Sequence, residues 1–192
     1  DLHMKNIILA ILLMLLSDNL HAQPQPLAAT GPDAVPVTVN NDSAAYALIA
    51  GGSRGIGFAI AEALAKRGYN LVLVARGVPS LQAAKDTLEK RYRVNVEILS
   101  HDLSKEESAP AIAQWCRERQ LKLKILCNVA GLGGDEDYLN LSLDSVRYMV
   151  RLNVESCMAV TMELLPLLEK NTPAYILNVA SMAGFAPIPS KN

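Results

Sequence analysis

The feature that most limits how this chain can fold is an apolar run that breaks into glycines and restarts as a helix. Residues 46–50 (YALIA) lead into Gly51-Gly52-Ser53-Arg54-Gly55-Ile56-Gly57, and an apolar-periodic stretch covers 56–67. A short continuous apolar run ending in glycines fits a strand buried on both faces, as in a parallel sheet. In the next segment Phe58, Ile60, Ala61, Leu64 and Ala65 give a helix its inner face, and Gly68 supplies the stop. The loop between them has the spacing G-x-x-x-G-x-G. Gly51 is expected to turn the chain out of the strand and Gly55 to let a pyrophosphate approach the backbone. Gly57 is expected to let the helix pack against the sheet. The helix start then offers unpaired N–H groups and a positive dipole end to anions. A glycine cluster alone fits any tight turn; strand, loop and helix in this order point to nucleotide phosphates.

The same alternation continues. Strands are predicted at 71–75 (LVLVA), 94–99 (VNVEIL), 123–127 and 174–179 (AYILNV), and helices at 81–92, 104–119 and 143–170. Ser104 with Glu107 three residues on reads as a capping box for the third helix. Pro166 is expected to kink the long fourth one. Strands separated by helices of this length imply right-handed βαβ units. The predicted fold is therefore α/β, a three-layer, doubly wound parallel sheet of Rossmann type with its first five strands present.

A site for NAD commonly places a carboxylate after the second strand, for the ribose 2′-hydroxyl. Here that strand ends in Ala75-Arg76 with no acid nearby, and Arg54 in the glycine loop is a second cation on the same side. Two guanidinium groups where an acid is missing suit a 2′-phosphate, so the expected cofactor is NADP(H). Charge elsewhere is balanced, with 18 Lys and Arg against 19 Asp and Glu for a net charge of −1. That gives no footprint for nucleic acid. The three cysteines form no C-x-x-C pair, which argues against a disulfide scaffold or zinc, and no metal site is predicted. Cys127, at the end of a buried strand, reads as packing, and His101 reads as surface.

The N-terminal segment is of another kind. Ile7 to Leu16 is a run of ten apolar residues after Met4-Lys5. A membrane-spanning helix needs about 20. Residues 1–22 therefore read as a secretory signal ending near Ala22, or as an N-terminal anchor with possible membrane association. Residues 23–43, with Pro24, Pro26, Pro32 and Pro36, read as a linker, and the folded domain is expected over 44–192.

Taken together the ordered motifs resemble the short-chain dehydrogenase/reductase family, in its NADP-preferring subgroup, from Ala44 to Asn192. The glycine loop is similar to the family's T-G-x-x-x-G-I-G, with Ala50 in the threonine's place. Asp102-Leu103 resembles the pair that holds the adenine. Asn128-Val129-Ala130-Gly131 resembles N-N-A-G, with valine at its second asparagine. Asn153 matches the mid-helix asparagine of the catalytic tetrad, and Ser181 the serine after the fifth strand. The resemblance implies cofactor contacts at Gly51, Ser53, Arg54, Gly55, Ile56, Gly57, Arg76, Asp102, Leu103, Asn128, Ala130 and Gly131. It implies that Ser181 polarises a carbonyl and that Asn153 supports a proton relay. The activity implied is hydride transfer between a nicotinamide and a ketone or secondary alcohol, in a homo-oligomer when full length.

The family's tyrosine, with a lysine four residues later on one helix face, is not found. Four residues after Tyr46, Tyr69, Tyr92, Tyr138, Tyr148 and Tyr175 stand Ala50, Leu73, Val96, Ser142, Leu152 and Val179. Family spacing puts that tyrosine roughly two residues beyond Asn192, so the sequence reads as a piece that is inactive alone. Two alternatives stay open. One is a dinucleotide-binding module without chemistry. The other is a Rossmann-like methyltransferase, which the arginine at 76 disfavours. The apolar N-terminus argues for export or anchoring, and a nicotinamide cofactor argues for the cytosol.

Overall fold

Strand β1 (Ala45–Ala50) has no polar side chain except Tyr46, and every residue but Tyr46 is buried. It becomes the middle of the sheet. A computed structural model describes residues 42, 44–133 and 141–181. All of these belong to the second of two compact units, Thr38–Asn192. The apolar stretch at 7–16 and nearly all of the 23–43 linker lie outside the described residues.

The chain alternates as expected. After β1 come α1 (Gly55–Ala65), β2 (Asn70–Ala75), α2 (Val78–Tyr92), β3 (Val96–Ser100), α3 (Ser108–Glu118) and β4 (Lys122–Asn128). Then follow α4 (Leu143–Val150), a π-helical turn (Arg151–Glu155), α5 (Ser156–Glu169) and β5 (Tyr175–Asn178). The five strands are parallel in the order β3-β2-β1-β4-β5. This is a three-layer, doubly wound Rossmann-type α/β fold.

Period-two alternation divides the core in two. Ala47 and Ile49 of β1 join Leu71 and Leu73 of β2 beneath Ala61 and Ala65 of α1 and Leu81 and Leu88 of α2. Leu48, Val72 and Leu126 face the other way, onto Ile112 and Cys116 of α3 and Val160 and Leu164 of α5. Burying a leucine of this kind contributes about 2 kcal/mol. With both faces covered, β1 and β2 need no polar side and read as apolar runs, whereas β3 and β4 carry Glu97, Lys122 and Lys124 and the edge strand β5 is largely exposed.

Three local expectations are corrected. Ser104 does not cap α3, which starts at Ser108 with Glu107 in the cap position and no capping side chain. The Asp102 carboxylate has captured Ser104 instead, accepting from its amide at 3.0 Å and from its hydroxyl at 2.8 Å. Helix α2 begins at Val78, not at 81, because Gly77 and Pro79 suit a helix start and its first turn. The long fourth helix is interrupted at Arg151–Glu155 by the π-helical turn, while Pro166 lies inside α5. Asp42, at the end of the linker, is fastened to the domain. Its carbonyl accepts from Ala45 N, and its carboxylate pairs with Lys122 at the start of β4.

Candidate functional site

The sheet order reverses between β1 and β4, so the loops leaving these neighbours diverge and open a crevice at their carboxyl ends. A cavity of about 570 Å³ lies there. Its floor is the glycine loop. Gly51 N donates to Val74 O at 2.8 Å, the last rung of the β1–β2 ladder before the chain turns away. Gly51 has φ +95° and Gly55 φ +56°, both left-handed. A Cβ on Gly51 would stand 2.6 Å from Ala130 N. A Cβ on Gly57 would collide with the Gly51 carbonyl oxygen, so Gly57 lets α1 pack on the loop's own first turn and not on the sheet. Beside Gly55 there is open space.

Helix α1 starts from an extended Arg54, with no side chain capping its first N–H groups and no acid in its first turn. Those donors face the cavity with the dipole's positive end behind them. Gly51, Ser53, Arg54, Gly55, Ile56 and Gly57 all line it.

The second wall comes from the ends of β2 and β3. Arg76 lines the cavity together with Ala75, Gly77 and Ser80. Its carbonyl accepts from Ser100 Oγ at 2.9 Å, and its Nη1 donates to the Tyr148 hydroxyl at 2.6 Å. Leu103 and His101 also line the cavity; His101 is half-buried there and not a surface residue. Asp102 itself is not on the wall. Burial raises its carboxyl, but the Ser104 hydroxyl and amide, with Arg76 and Lys105, outweigh that and hold it below the ordinary aspartate value. Among the described residues, no acid lines the cavity.

The third wall follows β4. Val129 and Ala130 both donate to Ala50 O, at 2.9 and 2.8 Å, bending the chain across the end of β1. Ala130 and Gly131 reach the cavity. Asn128 does not; it is buried, and its Nδ2 donates to Thr161 Oγ1 at 2.9 Å and Asn178 Oδ1 at 2.8 Å. It therefore ties β4 to α5 and β5. Asn153, in the π-helical turn, grips the backbone of Leu132. Its Oδ1 accepts from Leu132 N at 2.8 Å and its Nδ2 donates to Leu132 O at 2.9 Å. Ser181 is exposed two residues beyond Val179, which lines the cavity.

Ala75, Gly77, Ser80, His101, Val129, Leu152 and Val179 line the cavity without having been given a site role from the sequence. Four of them (Ala75, His101, Val129 and Val179) end or directly follow a strand, which is the signal that finds them. Burial pushes the thiols of Cys127 and Cys116 up to about 12, so both stay protonated and serve as packing.

The sequence and the fold have counterparts. Residues 45–192 match the family profile described as short chain dehydrogenase. The chain is 32% identical over 148 residues to very-long-chain 3-oxoacyl-CoA reductase-B of Danio rerio, covering 75% of this chain and 47% of that protein. It is 34% identical over 139 residues to the NADP-dependent 3-hydroxy acid dehydrogenase of Schizosaccharomyces pombe, covering 71% and 54%. The L-sorbose reductase of Gluconobacter frateurii, solved with NADPH and L-sorbose, superposes with a TM-score of 0.72 at 30% identity over 76% of this chain and 56% of that one. The chain thus spans about half the length of these relatives.

Proposed function

The chain belongs to the short-chain dehydrogenase family, and from that premise we propose that it is the cofactor-binding part of an NADP(H)-dependent oxidoreductase acting on a ketone or secondary alcohol. One observation carries the choice of cofactor. Among the described residues that line the cavity are Arg54 and Arg76, and none of them is a carboxylate. The S. pombe dehydrogenase, named as NADP-dependent, and the sorbose reductase, solved with NADPH, support this reading.

The cradle fits such a cofactor. The uncapped start of α1 and the open space beside Gly55 suit a pyrophosphate. Arg76 and Arg54 would take the 2′-phosphate, Leu103 and His101 would flank the adenine, and Ala130 and Gly131 would line the path to the nicotinamide. NADP(H), when bound, supplies or takes up the hydride. In this reading the Ser181 hydroxyl donates a hydrogen bond to the substrate oxygen. Asn153 holds the Leu132 backbone and with it the loop that closes the nicotinamide end.

Turnover is proposed for the whole protein. The 192 residues alone are proposed to bind without turning over, since no tyrosine among them is followed by lysine at the fourth position. Association into oligomers is proposed as well, supported by the exposed stripe of Val154 in the π-helical turn and Met158, Met162 and Leu165 in α5. The methyltransferase alternative falls with the family assignment.

Titration of the purified protein with NADPH and with NADH tests the reading. NADPH is expected to bind at least tenfold more tightly, as about 1.5 kcal/mol or more from charge-assisted hydrogen bonds implies. Equal or tighter binding of NADH overturns it.

A further inference from the structure

Arg76 is held in an unusual way for a cation. Among the described residues it makes no ion pair. Its Nη1 instead donates to a neutral phenol, Tyr148, at 2.6 Å, from a residue far along the chain on α4. The guanidinium carbon lies 6.0 Å from the centre of the same ring. The ring is half-buried and packs against the hydrophobic cluster that includes Leu103 and Leu152, which gives it support independent of the arginine. At the other end the Arg76 backbone is fixed by Ser100.

A neutral acceptor does something a carboxylate cannot. A carboxylate in Tyr148's place would take two of the five guanidinium N–H groups and cancel the charge. A phenol oxygen takes one and leaves the charge and the rest of the fork for a ligand. Tyr148 itself is not among the residues lining the cavity, so it reaches the site through Arg76.

We propose that Tyr148 is a specificity-determining positioning residue that holds the Arg76 fork toward the cavity for a phosphate monoester on the ribose. The proposal rests on the reading of Arg76 as the 2′-phosphate ligand. Removing the Tyr148 hydroxyl releases the arginine side chain, which must then be ordered anew on each binding event.

The experiment compares Tyr148→Phe, Arg76→Gln and the double variant with the unaltered full chain. The probes are NADPH, NADH, and the fragment pair adenosine 2′,5′-bisphosphate and 5′-AMP. Thermal unfolding of each variant is measured alongside. Tyr148→Phe is expected to weaken NADPH and the bisphosphate about three- to tenfold, the loss that immobilising one long side chain implies. NADH and 5′-AMP stay within twofold. In the Arg76→Gln background the same change has no further effect on NADPH. An equal loss for both members of each pair, or an unchanged NADPH affinity while Arg76→Gln still loses it, overturns the role of Tyr148 and leaves Arg76 in place. If Arg76→Gln keeps the full preference for NADPH, the reading of Arg76 falls and the role of Tyr148 with it.

Discussion

Two walls of one cavity are made of different material. The glycine-loop wall is backbone: a turn that leaves the β1–β2 ladder at Val74 O, a helix start with its N–H groups uncapped, and glycines whose missing Cβ atoms let these parts touch. The facing wall, at the ends of β2 and β3, is side chain. Arg76 is held by Ser100 and Tyr148, and Asp102 is turned toward Ser104. In the proposed reading the backbone of the glycine-loop wall, fixed by steric exclusion, meets what every dinucleotide shares, its pyrophosphate, and the Arg54 side chain adds a contact to the 2′-phosphate. A wall of side chains is adjustable one residue at a time, and it meets the part by which these cofactors differ.

If that contrast holds, damage to the two walls will look different. The largest effect belongs to Gly57→Ala, whose new methyl has no room against the Gly51 carbonyl. Overpacking of this kind destabilises by about 1–3 kcal/mol. Urea unfolding should show that loss, and titration should show NADPH and NADH weakened together. A variant that loses one cofactor only would break the contrast.

Asn153→Ala comes next. Both of its bonds to Leu132 vanish, but that backbone is exposed and water can replace the side chain. A loss near 1 kcal/mol is expected. Faster hydrogen exchange at the Leu132 amide, with the β1 amides unchanged, is the check. Unchanged exchange at Leu132 would show that the tether does not order the loop.

The smallest effect is that of Asp102→Asn, read as a pH dependence. The carboxyl titrates below its ordinary value of 3.8 in the folded chain. The charged form therefore stabilises the fold in full above that ordinary value, and the contribution is lost as pH falls through the lower folded value. The unaltered chain should lose stability on acidification in that window and the asparagine variant less. Identical acid limbs in both would contradict the Ser104 geometry as the cause.

What the sequence made legible follows the same division. The strands, the glycine loop and the arginine at 76 could be read directly, because short apolar stretches, most complete in β1 and β2, and the acid missing after β2 are local facts. Period and composition placed the first two helices to within a turn, but α3 starts four residues later than expected and the 143–170 stretch is split by the π-helical turn. Ser104 misled because a capping box and an Asp102 turn compete for the same hydroxyl and amide, and only geometry says which wins. The grip of Asn153 on Leu132 joins residues 21 apart, and that of Tyr148 on Arg76 joins residues 72 apart. No window of sequence spans either. Asn128 resembled a cofactor contact by motif and is instead buried behind the wall, where Thr161 and Asn178 take its amide.

The strand order has a consequence for the timing of assembly. Ala47 is paired with Leu71 on one side and with Ile125 on the other. The first pairing closes a short βαβ unit, and the second must wait for most of the domain to be made. A growing chain that has emerged only as far as β3 can possess three strands and a finished glycine loop while having no crevice. The seam between the first and fourth strands turns the loop into half of a pocket. In the proposed reading, capture of the nucleotide would report that the ends of a long contour have met, and a nascent chain could be scored for completion by what it binds.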